Sequence, residues 1–369
     1  MLTEESLEIR DAMKKTSQPS MNSIEYRLLF KFLMNVPLVR MSKLQSERKI
    51  MKRKKIQIRS TFVPESVRKV STYTDVQKVQ FHIGDTNITL HIYSKEDTSY
   101  FVKEIIPVIQ FVVCLFGVPS KSITFYYYLL DVKKEIRKNM SYMYLGREQV
   151  NSGSCSTNYF NSTITIWRKE EIVKVTIHEM IHALVHDQVD DSSELIDHYQ
   201  MKYNMTSEKV KIDETYTEIW ANILNVFLLS MKVPERETPN MNDKFSLFLD
   251  LLQTEKQFCH FQSQKVKDVL SIQEGKRNYV KKIDINKETN VLAYYIIRCE
   301  VFSNLPAFLK LCRENNEDYI FMKNKQLWFS ILMKLKQRKK MKKMKKIYPT
   351  TNLLSTTMKM SAIELKVFY

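Results

Sequence analysis

The chain has 369 residues, 44% hydrophobic and 27% charged, enough for one large or two ordinary domains with a real core. Its formal net charge is +17 and it holds only five glycines, with no G-x-G-x-x-G or G-x-x-x-x-G-K, so nucleotide chemistry has no phosphate-cradling loop behind it. Five cysteines without a C-x-x-C, a charged start and a longest apolar run of only Ile105 to Pro119 lead to the expectation of a soluble intracellular protein with free thiols, no signal peptide and no membrane span.

In chain order, residues 1–60 read as helical and basic. Val79 to Tyr93 alternates apolar and polar residues around "GDTN", a β-hairpin signal. Lys95 to Gly117 opens with acids and closes with glycine, as helices do. Ser122 to Leu130 is β-branched and aromatic, hence a strand. "NSGS" at Asn151 to Ser154 reads as a loop, and "STITIWR" at Ser162 to Arg168 as a half-buried or edge strand. A helix is expected from about Glu170, another from Ser207 to Met231, and helices thereafter to about residue 345. The order predicts an α+β fold with a small mixed sheet of about four strands and a mainly helical C-terminal half.

The charge is concentrated. Lys43 to Arg59 has eight Lys/Arg and one acid, and Lys334 to Lys346 has nine and none. Together they account for +16 of the net +17. Segments of this kind suit nucleic acid or another polyanion.

The chemistry is concentrated in "KVTIHEMIHALVHD", Lys174 to Asp187. On a helix, residues i and i+4 share a face, so His178 and His182 project together and Glu179 stands beside them. This is H-E-x-x-H: two imidazoles for zinc, and a carboxylate placed to take a proton from a zinc-bound water. A third ligand is needed. His186 lies about 6 Å further along the same helix, too far to share the ion without a break. "IDETYTEIWANI" offers Glu214 and Glu218, again four apart on a helix.

"DETYTEIWA" resembles the second zinc-binding helix of the gluzincins, the thermolysin-like metallopeptidases, with their pattern Asn-Glu-x-x-x-Asp. The resemblance implies that Glu214 is the third zinc ligand and that Glu218 accepts a hydrogen bond from a ligand histidine. Asp213 stands in place of the Asn and Glu218 in place of the Asp. The resemblance covers about Ser162 to Met231 and implies a zincin-like core. It also implies that "STITIWR" is an edge strand that pairs with extended substrate backbone, with "NSGSCSTNYF" shaping the cleft mouth. The segment from Asn151 to Val185 also resembles predicted metallopeptidases of large DNA viruses, in keeping with a Lys-, Asn-, Ile- and Tyr-rich composition.

An oxyanion-stabilising donor is expected as well. Tyr294 and Tyr295 are the candidates, with Arg298, His198, Tyr216 and His260 as competitors. The expected organisation is a basic helical region at 1–60, a zincin-like metallopeptidase domain at 61–330 (sheet part 61–190, helical part 191–330), and a basic tail at 331–369. The expected function is zinc-dependent hydrolysis of peptide bonds in a peptide or protein substrate. The alternative is a non-catalytic nucleic-acid-binding or virion-associated protein that uses its basic segments, 43–59 and 334–346, on a zincin-like scaffold.

Overall fold

A computed structural model describes the chain apart from residues 1, 15–22, 50–57, 59, 61, 71–74, 118–120, 139–141, 186–189, 233–239, 273–281, 317–318, 321–350 and 369. The basic segment 334–346, most of the 43–59 segment, and His186 with Asp187 therefore lie outside the described residues.

The elements in order are α1 (Glu4–Lys14), α2 (Ile24–Met34), β1 (Gln45–Lys49), α3 (Glu65–Val70), β2 (Asp75–Ile83), β3 (Thr86–Ser94), α4 (Ser99–Leu115), β4 (Ser122–Leu130), α5 (Arg147–Val150), β5 (Gly153–Thr157), β6 (Asn161–Arg168), α6 (Ile172–Val185), α7 (Ser193–Tyr203), α8 (Ile212–Lys232) and α9 (Met241–Val269). A π-helix (Leu292–Ile297) then runs into α10 (Arg298–Ser303), followed by α11 (Leu305–Asn315) and α12 (Asn352–Thr356). The protein is α+β. Its single sheet has the order β1-β2-β3-β4-β6-β5, parallel at β3/β4 and β4/β6 and antiparallel elsewhere. No described helix is long and apolar enough to cross a membrane.

The expected strands appear where alternation or β-branched and aromatic residues marked them. β2 and β3 form the hairpin, turning at Gly84, whose φ of 53° is the left-handed conformation glycine adopts freely. α4 carries the chain from β3 to its parallel neighbour β4, the crossover a parallel pair requires. It buries Phe101, Ile105, Ile109 and Val112 under the sheet, with Phe101 edge-on to Tyr127 of β4 at 5.1 Å. Tyr127 also meets Thr176 of α6 through its hydroxyl, 3.1 Å away. α4 and α6 therefore share one sheet face. On the other face Ile58, Val63 and Val67 pack with Tyr128 and Trp167.

Three expectations need correction. The sheet has six strands, not about four: β1 lies in the segment read as helical, and β5 in the segment read as a loop. Both are edge strands. "QSERK" and "GSCST" hold no run of alternating apolar residues and so carry no strand signal. Second, β6, "STITIWR", is interior, between β4 and β5. The edge belongs to β5.

Third, residues 351–368, read as part of a basic tail, pack into the core. Met358, Ala362 and Ile363 are fully buried. The segment is tied to α1 by Glu364 accepting from Thr3 through its backbone carbonyl (3.1 Å) and donating to Ser6 Oγ (2.8 Å). It is tied to α8 by Asn225 donating to the Ile363 carbonyl (3.0 Å). Truncating Ile363 should therefore cost what a core residue costs. Ile363→Ala is expected to lower the unfolding free energy by about 2–5 kcal/mol in chemical denaturation. A change well under about 1 kcal/mol would place the segment outside the cooperative core.

Candidate metal centre

α6 begins at a strained residue. Glu171 has φ 57°, uncommon for a side-chain-bearing residue. Its carboxylate is held by Lys134 and accepts from the Met360 amide at 2.8 Å. At the other end of α6, Lys121 donates to the Ala183 carbonyl (2.7 Å) and to Thr157 of β5 (2.9 Å). The helix is thus held at both ends, by Lys134 and the C-terminal segment at one and by Lys121 and β5 at the other. Its strongly buried middle presents His178, Glu179 and His182 to a cleft of about 850 Å³, lined also by β5, the start of α8 and the loop 286–290.

His178, His182 and Glu214 converge. Their ligand atoms all lie within 4.8 Å of one another, and they are the one such group of three among the described residues. The two Nε2 atoms are 3.1 Å apart, and Glu214 Oε2 is 3.4 Å from His178 Nε2 and 3.3 Å from His182 Nε2. Glu214 stands in the first turn of α8 and reaches across to α6. Burial works to raise its pKa, but the two imidazoles outweigh burial and hold it well below the usual carboxylate range. His178 is pushed down by burial and up by Glu214 and Glu218, with a net rise. Three lone-pair donors face one point, and the set of two imidazoles and a carboxylate is a zinc-type set.

Glu218, one turn on from Glu214, lies 2.9 Å through Oε2 from His178 Nδ1. A carboxylate at that distance pairs with the ring edge and favours the orientation in which Nε2 faces the cleft, although the angle at Nδ1 is not that of a formed hydrogen bond. Burial would raise Glu218, but Lys174 first, then His178 and Arg298, hold it far below the ordinary value.

Glu179 is turned toward β5. A Cβ built on Gly153 would stand 2.7 Å from Glu179 Oε1 and 2.9 Å from Val175 Cγ1, so Gly153 is what lets the edge strand and the helix close on each other. Burial raises the Glu179 pKa against the pull of His178 and His182. The loop leading into β5 is itself pinned. Buried Arg168 donates to the carbonyls of Asn151 (3.0 Å), Val132 (3.1 Å), Lys133 (2.7 Å) and Glu148 (2.7 Å).

Of the two tyrosine candidates, the structure brings only Tyr294 to the cleft. Its hydroxyl donates to Glu214 Oε2 at 2.9 Å. Tyr295 is wholly buried and donates to the Met358 carbonyl at 2.6 Å, which removes it from the set. The π-helix carries both tyrosines, and π-turns recur at functional sites. His260 lies away from the cleft, 3.0 Å from Cys299 Sγ and 3.1 Å from Ser303 Oγ. His198 packs on Tyr199, and Tyr216 bonds the Ile320 carbonyl. Arg298 sits behind the centre on Glu218 at 3.0 Å. Lys174 was not foreseen as part of the site; Arg298, weighed only as an oxyanion donor, and Gly153, read only as part of the cleft-mouth segment, take different places in it. The one local signal was Lys174, four residues before His178 on the same helix face.

No family model matches this chain, and no curated protein or solved structure matches it. The geometry predicts one bound metal ion per chain in the purified protein, and loss of that ion in His182→Ala and Glu214→Ala. Elemental analysis after dialysis checks this, and full metal content in Glu214→Ala would remove Glu214 from the ligand set.

Proposed function

We propose that the chain is a zinc-dependent metallopeptidase of gluzincin type, cleaving peptide bonds in a peptide or protein substrate inside the cell. The observation that carries this reading is the convergence of His178, His182 and Glu214 in a cleft where a buried carboxylate, Glu179, stands beside them. A zinc ion held by these three would supply Lewis acidity, acidifying a water and polarising the scissile carbonyl.

The remaining roles fall to the chain's own residues. Glu179 accepts the proton of the attacking water and returns it to the leaving amine. Its burial makes it a stronger base than an exposed glutamate. Glu218 orients His178. Tyr294, already at the cleft, is the group that can turn its hydroxyl to the carbonyl oxygen as charge develops there. β5 is the terminal strand of the sheet and runs along the cleft from Gly153 to Thr157. Extended substrate backbone would pair with it by adding a strand. Gly153 allows that edge to lie against Glu179 without a side chain between them.

Two substitutions test the reading. Glu179→Gln keeps size and most hydrogen bonding, so it should retain zinc while peptide hydrolysis falls by about 10²–10⁴-fold, the usual contribution of a general base. Loss of zinc in that variant would make Glu179 a structural residue. Gly153→Ala inserts a methyl group where Glu179 and Val175 already sit. It should cut hydrolysis by at least about tenfold, because a misplaced base is a poor one, while leaving zinc content unchanged. Wild-type turnover in Gly153→Ala would show that the close approach of β5 and Glu179 does not matter for catalysis.

A further inference from the structure

We propose that Lys174 and Arg298 are positioning residues of the metal centre: they clamp one oxygen of Glu218 so that the other stays on His178. The inference rests on the zinc reading above and extends it by one turn of helix. Lys174, His178 and His182 follow each other at four-residue spacing on α6, and Glu214, Glu218 and Asn222 do so on α8. The two rows face each other. His182 meets Glu214 at 3.3 Å, and His178 meets Glu218 Oε2 at 2.9 Å. One turn further back, Lys174 Nζ reaches Glu218 Oε1 at 2.7 Å. Arg298 completes this last rung from α10, with Nη1 3.0 Å from Glu218 Oε1 and 2.9 Å from Asn222 Oδ1.

The division between the two carboxylate oxygens is the essential point. A glutamate side chain turns easily about its last bond, whose rotamer well is broad. Held by His178 alone, Glu218 could offer either oxygen and let the ring tilt. With two cations on Oε1, the carboxylate plane is fixed and Oε2 has one direction left. Neither cation is a solvated surface charge, since Lys174 and Arg298 side chains are 3% and 1% exposed. Burying a cation is costly unless a partner compensates, and Glu218 is the partner they share. The two positive charges also offset the crowding of Glu179, Glu214 and Glu218 into one cleft wall.

The clamp has a backstop from the far end of the sequence. Arg298 Nη1 donates to the Met360 carbonyl at 2.6 Å, and the Met360 amide is held by Glu171 at 2.8 Å. Met360 also lines the cleft, with Sδ 4.0 Å from Lys174 Nζ. The C-terminal segment therefore fixes Arg298, Arg298 and Lys174 fix Glu218, and Glu218 fixes His178.

The test is zinc affinity of the full chain, measured by competition with a chromophoric chelator, in Lys174→Met, Glu218→Gln and the double variant, with thermal unfolding of the zinc-free proteins as the check on folding. Lys174→Met should weaken zinc binding by about 10–100-fold, the usual loss when a ligand's supporting partner goes. In the Glu218→Gln background it should add less than about twofold, within the scatter of independent sites, because Lys174 acts through Glu218. Lys174→Arg, which restores a cation, should recover most of the affinity. A lysine that only supported the fold would lower the unfolding temperature and leave this coupling at zero. Where Lys174→Met does not fold, Arg298→Lys carries the same comparison. Unchanged affinity in the single variant, or equal losses in both backgrounds, overturns the positioning role and leaves the peptidase reading untouched. A wild-type chain that binds zinc and cleaves no peptide overturns the peptidase reading alone, and one that binds no zinc overturns the metal centre itself.

Discussion

The pairing of α6 with α8 is the constraint from which the rest of the molecule follows. Two helices bring rows of ionisable side chains face to face inside the core, and buried charges are tolerated only where each has a partner in good geometry. Glu218 is the hinge of that pairing, with one oxygen on His178 and the other on Lys174 and Arg298. Removing one member of such a set leaves the others buried and uncompensated, typically at a cost of about 3–5 kcal/mol. The three side chains that could hold a metal are thus embedded in a network that restricts their rotamers.

The surrounding architecture serves to hold those two helices and one strand in register. The sheet carries α4 and α6 on one face. Lys121 joins the end of α6 to β5, and Arg168 pins the loop that feeds β5. Gly153 then permits a contact between strand and helix that a Cβ would crowd, pressing on Glu179 and Val175. The chain's two ends meet behind the centre, where Lys359 pairs with Glu364 and Glu5. The back wall of the cleft therefore depends on residues separated by most of the sequence.

How far the sequence reveals this arrangement depends on whether a feature is local. Four-residue spacing on a helix is local, so His178, His182 and the Glu214/Glu218 pair were legible, and the fold brings all four side chains to one cleft. The strands β2, β3 and β6 were legible because each has a buried face and alternates, and β4 because it is β-branched and aromatic. β1 and β5 were not, because edge strands bury little. Tyr294 and Tyr295 were indistinguishable in sequence. Neighbours on a helix point about 100° apart, and the π-turn shifts the register further, so only the fold shows that one faces the cleft and the other the Met358 carbonyl. The partner of Glu218 on α10 and the burial of residues 357–363 arise from tertiary packing and leave no periodic trace.

The central claim is that two imidazoles and a carboxylate hold a zinc ion in this cleft. X-ray absorption at the zinc edge of the purified protein tests it most directly. The account predicts a first shell of nitrogen and oxygen only, at about 2.0–2.2 Å, with the multiple-scattering pattern of two imidazoles. A sulfur shell near 2.3 Å, drawn from any of the five cysteines, or a spectrum with no imidazole signature would contradict it.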